Sequence, residues 1–586
     1  MQLPVLPVRR ARHAVLAALS VLVPALASHA ATPETSAPRG CATLLVAGSL
    51  TVPGGPAAQA QRGMAATLSG RTLLTGHFAV HYTLAPNVHR VRLTAQDAAL
   101  KALADSLRAA LPGGLSTYRR DSTVHAKLDS LGAPHPEYAV KAAQHFERAY
   151  AYYDSLGMRM PAYASTSTAY LLPGHGRYVV DLADINTAAG YAGAYYGLAY
   201  PPGQGGSILL ENDFLYSASY NPATDQVGGL GVRAFYPAGV VFRDYSVSWE
   251  MGLKVTASHE FYHSVQYMYT PQLTNIHAWY ELSATGMEER LAPEVNDYLQ
   301  YTRFNIPKNH TTSLTTAQTN ENYGNAVFHM YLTHVRGAGF DRLVWERLGD
   351  TALPRNHMPT ALVHMAGSQA AWDSLFAGYA AAMALSGSSA AATSPLAFSP
   401  DMPQWPRPTF DTVPPQGVAT LAMPPLTFRL LRPRGAQPGV ATLSGPAGAW
   451  RLDSTADGVA AAWLSGSMLP VTLPAGVAAS VTAVANASFS AGGTTVLAGP
   501  VATVTAARNP VERTQAGLLF LAPAGGAADT LRVFSETGRQ IANLAPDGGG
   551  ASWNWNLRDP QNRPVPPGLY FYGTGTGAPK PLVVMP

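Results

Sequence analysis

Residues 255–267 read V-T-A-S-H-E-F-Y-H-S-V-Q-Y. Two imidazoles and a carboxylate stand there at a spacing that carries chemistry. In an α-helix, residues four apart share a face, so His259 and His263 point the same way and can meet at one cation. Zn²⁺ accepts neutral imidazole nitrogens at about 2.0–2.1 Å. Glu260, turned by one residue, is poorly aimed at the same ion but can reach a water beside it. The ion brings the pKa of such a water toward about 7. Glu260 can then take the proton as general base and pass it to a leaving amine. The competing reading is a helix with two packed or solvated histidines. Val255, Ala257, Phe261 and Val265 count against it. They make the helix largely buried, where an imidazole or charge without compensation costs free energy.

A catalytic zinc site needs a third protein ligand and an open position. Trp279-Tyr280-Glu281-Leu282-Ser283-Ala284 follows, with 17 residues between His263 and Glu281. One helix, a turn through Pro271 and a return helix bring Glu281 beside the histidines. Glu288, seven residues further on, falls on the same helix face and can orient a ligand histidine. The alternative for Glu288 is a plain helix-surface carboxylate. Glu288 or Glu289 in place of Glu281 is the competing ligand assignment.

These residues resemble the gluzincin metalloproteases, in which a glutamate on the helix after H-E-x-x-H completes the zinc site. The nearer likeness is to secreted bacterial metalloproteases of the Myxococcus type, patterned H-E-x-x-H-x-x-Q and then W-x-x-E-x-x-A-x-x-x-E. Here the first part is His259, Glu260, His263 and Gln266. The second is Trp279, Glu281, Ala284 and Glu288, with the tryptophan one residue closer than in the pattern. Leu282 stands where a small residue is expected, and Gly286 where a tryptophan is expected. The stretch Glu321-Asn322-Tyr323-Gly324 resembles the gluzincin segment whose tyrosine hydrogen-bonds the developing oxyanion, a role that stabilises charge present only in the transition state. The resemblance thus implies Tyr323 as a catalytic donor. The competing reading is an aromatic packed near Phe328 and Tyr331. His329 and His334 read as structural.

The elements that must hold these groups follow from periodicity. Gly76 to Tyr82 alternates apolar and polar residues as a strand does, and residues 167–172, 178–182 and 207–210 are further strand-like runs. Helical spacing appears over residues 94–111, with Thr94 as N-cap and Pro112 as stop, and over 136–156. It returns at 247–269, 279–291, 322–335 and 372–385. Strands first and helices later fit an α+β domain over residues 76–385. Residues 190–197, G-Y-A-G-A-Y-Y-G, read either as an edge strand lining a substrate cleft, where a peptide would add as a further strand, or as a packed hairpin. Asp181, Asp184 and Asn186, with Glu211, Asn212 and Asp213, form oxygen-rich clusters that read as Ca²⁺ ligands or as loop caps.

Composition bounds the rest. The chain has 586 residues, 47% hydrophobic and 13% charged, with a formal charge of +4. That excludes general disorder, and no basic stripe with interleaved aromatics marks a nucleic-acid binder. Arg9, Arg10 and Arg12 precede an apolar stretch, residues 14–27, and Ser28-His29-Ala30 supplies small residues, so residues 1–30 read as a signal peptide. Residues 31–75, rich in Ala, Gly, Pro and Thr, read as a lead-in or propeptide. No later run is long and apolar enough to span a membrane. The single cysteine, Cys41, reads as a packed or incidental thiol.

Residues 386–408, rich in Ser, Ala and Pro, read as a linker. Beyond it helical spacing disappears, and short strands between Gly- and Pro-rich turns predict a β-sandwich over 409–508. A second unit, 509–586, carries Asn509-Pro510-Val511, Trp553-Asn554-Trp555 and Gly568-Leu569-Tyr570-Phe571-Tyr572. It resembles the FlgD-like immunoglobulin-type domains that end secreted bacterial proteins, relatives of which are sorting signals for type IX secretion. The resemblance implies a partner in the secretion machinery or at the cell surface. The expectation is a gluzincin-like α+β domain followed by two all-β Ig-like sandwiches, acting as a secreted zinc endopeptidase on peptide or protein substrates. The alternative is a cell-surface binding or adhesion protein whose protease-like domain serves recognition.

Overall fold

Sequence-local signals account for the first helices. In the computed structural model Thr94 accepts from the Gln96 amide, and Asp97 returns a bond to the Thr94 amide, a reciprocal cap that opens a 3₁₀ turn. Helix α1 (Ala98–Ala109) runs on from it. Helices α2 (Thr117–Ser130) and α3 (Glu137–Ser155) follow. Periodicity does not mark α2, because Val124 and Leu128 are its only buried aliphatic residues; Asp121 and His125 fill the rest of its inner face.

The model describes residues 40–41, most of 68–214, short stretches between 220 and 248, and most of 249–586. They divide into two units, Met1–Tyr150 with Pro161–Ser264 and Ala151–Met160 with Val265–Pro586. Residues 1–30, read as a signal peptide, and most of the stretch read as a lead-in fall outside the described residues.

The first unit is built on a six-stranded sheet. Its strands are β1 (Gly40–Cys41), β2 (Arg71–Leu74), β3 (Phe78–Tyr82), β4 (Tyr178–Leu182), β5 (Tyr195–Ala199) and β6 (Ile208–Leu210), in the order β1-β5-β6-β4-β3-β2. β3, β4 and β6 run parallel, β5 lies antiparallel to β6, and β1 is parallel to β5. β3, β4 and β6 are buried along their whole length, as expected of strands covered on both faces.

Two expectations need correcting. β2 falls inside the stretch read as a lead-in, and it pairs with β3 through four residues, so the folded unit begins before residue 76. Among the described residues of 167–172 none is in a strand. The Ser167 amide bonds to Leu172 O, and the Tyr170 amide bonds to Ser167 Oγ, closing a turn in which Leu171 takes a φ of 54°. The alternating side chains mimic a strand, but the local bond to serine wins.

Helix α4 (Trp249–Tyr267) carries the H-E-x-x-H motif, and α5 (His277–Leu291) carries Glu281. After α6 (Leu299–Asn305) the expected helix 322–335 is two, α7 (Thr319–Gly324) and α8 (Ala326–Arg336). Then come α9 (Phe340–Leu348), α10 (Met358–Ala366) and α11 (Gln369–Met383). The described end of the linker is anchored: Trp405 is buried and donates to Tyr298 Oη at 3.0 Å.

From Phe410 onward the described elements are strands alone, apart from turns, in four sheets. A five-stranded sheet includes Thr427–Arg432, Val481–Asn486 and Ala447–Thr455, and α11 packs on it. The Trp372 indole donates to Ala487 O at 2.9 Å and stacks on Phe489. Near the C-terminus Val511, Phe520, Leu531, Val533, Trp553, Trp555, Tyr570 and Tyr572 close one apolar core, the inward alternation expected of a sandwich.

Candidate metal centre

α4 is buried along most of its length. Leu253, Val255, Ala257, Phe261, Tyr262 and Val265 are all buried, the pattern of a helix threaded through a core. Phe261 sets its rotation. Its ring meets Phe78 of β3 at 5.0 Å, Tyr178 of β4 at 5.7 Å and Tyr150 of α3 at 5.9 Å. Residues two apart on a helix face roughly opposite ways. Seating Phe261 on the sheet therefore turns His259 and His263 together to the other side.

Both imidazoles are buried, with ring centroids 4.5 Å apart and planes near perpendicular. One ligand atom each from His259, His263 and Glu281 lies within 4.8 Å of the others. Glu281 is wholly buried. Two imidazoles and one carboxylate suit a divalent metal of the zinc kind. Burying the carboxylate costs free energy that a cation between the three would offset. The sequence left Glu281, Glu288 and Glu289 in competition; this gathered set contains Glu281.

Glu260 is not one of the three gathered ligands; it packs against β5. A Cβ built on Gly197 would lie 2.5 Å from Glu260 Cγ and 2.7 Å from its Oε1. The backbone of β5 therefore runs directly against the carboxylate, and only glycine leaves room for it. Residues 190–194 are outside the described set, but the end of the predicted edge strand, Tyr195 to Gly197, is a strand. A glycine inside a strand is itself a sign of close approach, a signal the sequence carries.

Gln266, the last residue of the H-E-x-x-H-x-x-Q pattern, explains its own place. It is fully buried, and its amide donates to Tyr280 O and to Ser283 Oγ, each at 3.0 Å. Ser283 in turn donates to Trp279 O. The amide thus holds α5 one residue before Glu281. Gly286, standing where the pattern it resembles has tryptophan, has a reason too. A Cβ there would come within 2.3 Å of the His329 ring. His329 occupies that volume, buried, with Nε2 3.3 Å from Asp341. His334 is exposed.

Tyr323 is buried, its ring 4.9 Å from that of Tyr301. Glu288 is buried in α5, and its charge is among the influences that, after burial itself, raise the Tyr153 phenol pKa. Neither belongs to the gathered set of His259, His263 and Glu281.

In the oxygen-rich cluster, Asp181 accepts from the Ala169 amide, and Glu211 accepts from the amides of Ile185 and Asn212. Asn212 donates to the carbonyls of Val88 and Arg90. These are loop caps. Burial raises the Glu211 carboxyl well above its usual range, and the charges of Asp213 and Asp184 push it the same way. Asn186 lies outside the described residues.

No family model matches the chain, and comparison with curated proteins finds no relative. Among solved structures it is similar to a cupin domain from Bordetella pertussis Tohama I, at 18% identity and TM-score 0.11 over 14% of this chain and 78% of that one. The adhesin domain of Epf from Streptococcus pyogenes aligns at 6% identity and TM-score 0.12, over 28% of this chain and 71% of that one. The glycoside hydrolase domain of Endo-D from Streptococcus pneumoniae R6 aligns at 8% identity and TM-score 0.10, over 29% and 32%. At such TM-scores none of the three bears on fold or activity. No described helix is long and apolar enough to cross a membrane.

Proposed function

We propose that this chain is a zinc-dependent endopeptidase of the gluzincin type, exported from the cell. The observation that carries the reading is the convergence of His259, His263 and Glu281, all buried, with ligand atoms within 4.8 Å of one another. These three residues would hold the ion. When bound, zinc supplies a Lewis acid that acidifies water and polarises a carbonyl oxygen. Glu260, on the same helix, takes the proton of the attacking water and returns it to the departing amine. Its carboxylate is confined against Gly197 of β5, which limits its motion and keeps it poised. Tyr323 is the candidate donor to the oxyanion. The C-terminal strands are assigned to sorting or surface attachment.

The test is zinc content followed by peptide hydrolysis. The purified chain is expected to carry one zinc, and Glu260→Gln to keep the metal while losing about 10²-fold or more in kcat/KM. Hydrolysis undiminished in Glu260→Gln would remove the assigned base. A chain that takes up no zinc would remove the site.

A further inference from the structure

The third member of the set His259, His263 and Glu281 comes from α5, so the set depends on where that helix is placed. Two other residues mark the back of α5. Trp279 and Gly286 are seven apart and share a face. Glu281, two residues after Trp279, stands about 200° round the helix from it, on the opposite side. α8 packs on α5, and its His329 meets both residues of the back face. The imidazole centroid is 6.2 Å from that of Trp279, and a Cβ built on Gly286 would lie 2.3 Å from His329 Nδ1. The ring therefore rests directly on the α5 backbone. It is itself held from behind. Nε2 is 3.3 Å from a carboxylate oxygen of Asp341, with both side chains shut off from solvent, and the Phe340 ring is 5.0 Å away. Phe340 and Asp341 open α9, where a carboxylate in the first turn suits the helix dipole.

We propose that His329, fixed by Asp341, is a positioning residue for the third metal ligand. It acts through α5: by backing the helix at Trp279 and Gly286 it sets where the Glu281 carboxylate stands toward the two imidazoles. Packed helices take a spacing that depends on the side chains between them. Gly286 leaves α5 without bulk at this contact, and His329 supplies it from α8. A histidine serves better than an apolar side chain of similar size, because the buried Asp341 carboxylate is costly without a partner. The inference rests on the metal reading of the site and deepens it.

The experiment uses the full chain loaded with Co²⁺, whose visible absorption reports the geometry of its ligands. Affinity is measured by competition with a chelator, the spectrum at saturating metal, and the denaturant midpoint on metal-free protein. His329→Leu keeps bulk but deprives Asp341 of its partner, whereas His329→Gln keeps an N–H donor for it. The expected result is a Co²⁺ dissociation constant raised about 10–100-fold in His329→Leu, with an altered spectrum, and most of the loss restored in His329→Gln. A lowered midpoint with the parent's affinity and spectrum would make His329 a residue of the fold alone and overturn the proposal. A parent chain that takes up neither Co²⁺ nor zinc would overturn it together with the metal reading. Weakened Co²⁺ binding in His329→Leu, with no hydrolysis by the zinc-loaded parent, would uphold the positioning and count against the peptidase. Should His329→Leu fail to fold, Gly286→Ala presses the same contact from the α5 side. Its methyl would stand 2.3 Å from Nδ1, where ordinary contacts begin near 3.4 Å, so the same weakening and spectral change are expected. Parental affinity and spectrum in Gly286→Ala would refute the proposal.

Discussion

Replacing Gly197 with alanine adds a single methyl at the wall of the proposed active site, and its consequence can be worked from distances. The new carbon would stand 2.5 Å from Glu260 Cγ, whereas ordinary contacts begin near 3.4 Å. Something must yield by about 0.9 Å. Glu260 cannot relieve the clash at its tip, because the nearest atom is in the stem of the side chain and the Cδ and Oε1 atoms are also within 2.8 Å. Backbone strain does not enter, since Gly197 does not have the positive φ that only glycine tolerates easily. The carboxylate is therefore displaced by close to 1 Å. Misplacing a reacting group by that distance costs about 10²-fold in rate, or about 3 kcal/mol of barrier. The proposed metal ligands His259, His263 and Glu281 are not among the atoms this methyl meets, so zinc content is expected to stay unchanged. The assay is kcat/KM on a quenched fluorescent peptide, with zinc measured on the same preparation. Combining Gly197→Ala with Glu260→Gln should cost little beyond Glu260→Gln alone, because both act through one carboxylate. Full activity in Gly197→Ala with zinc retained would refute the reasoning. So would an additive loss in the double variant.

Two further expectations follow from buried polar groups. Gln266→Leu removes the two bonds its amide donates, to the Tyr280 carbonyl and the Ser283 hydroxyl, at a cost of about 1–3 kcal/mol, and loosens the helix that holds Glu281; a zinc dissociation constant weaker by about 10–100-fold in competition with a chelator is the readout, and unchanged affinity would show that α5 is positioned without it. Acid should destabilise the fold in a defined window. Burial lowers the pKa values of His81, His125 and His145 to about 4 from 6.5, helped at His81 by His175 and at His125 by Arg108 and Arg71, while at His145 Glu250 works against the shift. The folded state refuses protons that the unfolded chain accepts below pH 6.5. Stability is full above that pH and falls as pH drops toward 4, by about 3 kcal/mol or less for each histidine. His125 accepts the Leu84 amide through Nε2. His125→Gln can keep that acceptor without the proton, so denaturant midpoints measured from pH 7 to 4.5 should show a shallower slope, and an unaltered slope would exclude His125 from the effect.

Much of the chemistry was legible in the sequence, because it depends on spacing along one helix. His259 and His263 are four residues apart, and helical geometry puts them on one face whatever surrounds them. The cap at Thr94, the helix at 136–156 and the strand Tyr178–Leu182 were equally local, since each is written in the side chains of a single segment. Helix α2 was missed because it buries polar residues, and the turn at Ser167 because a serine hydroxyl offered the backbone a better partner than a neighbouring strand. The lead-in looked formless because composition does not say what a segment pairs with; β2 and β1 become strands only beside β3 and β5. The choice of Glu281 from three nearby carboxylates, the closeness of Gly197 to Glu260, the Gln266 bonds to Tyr280 and Ser283, and the volume that His329 takes over Gly286 were decided by tertiary structure. Each depends on atoms distant in sequence meeting across a packed interior. Local periodicity fixes which way a side chain points along its own element, but only the assembled core determines what it meets.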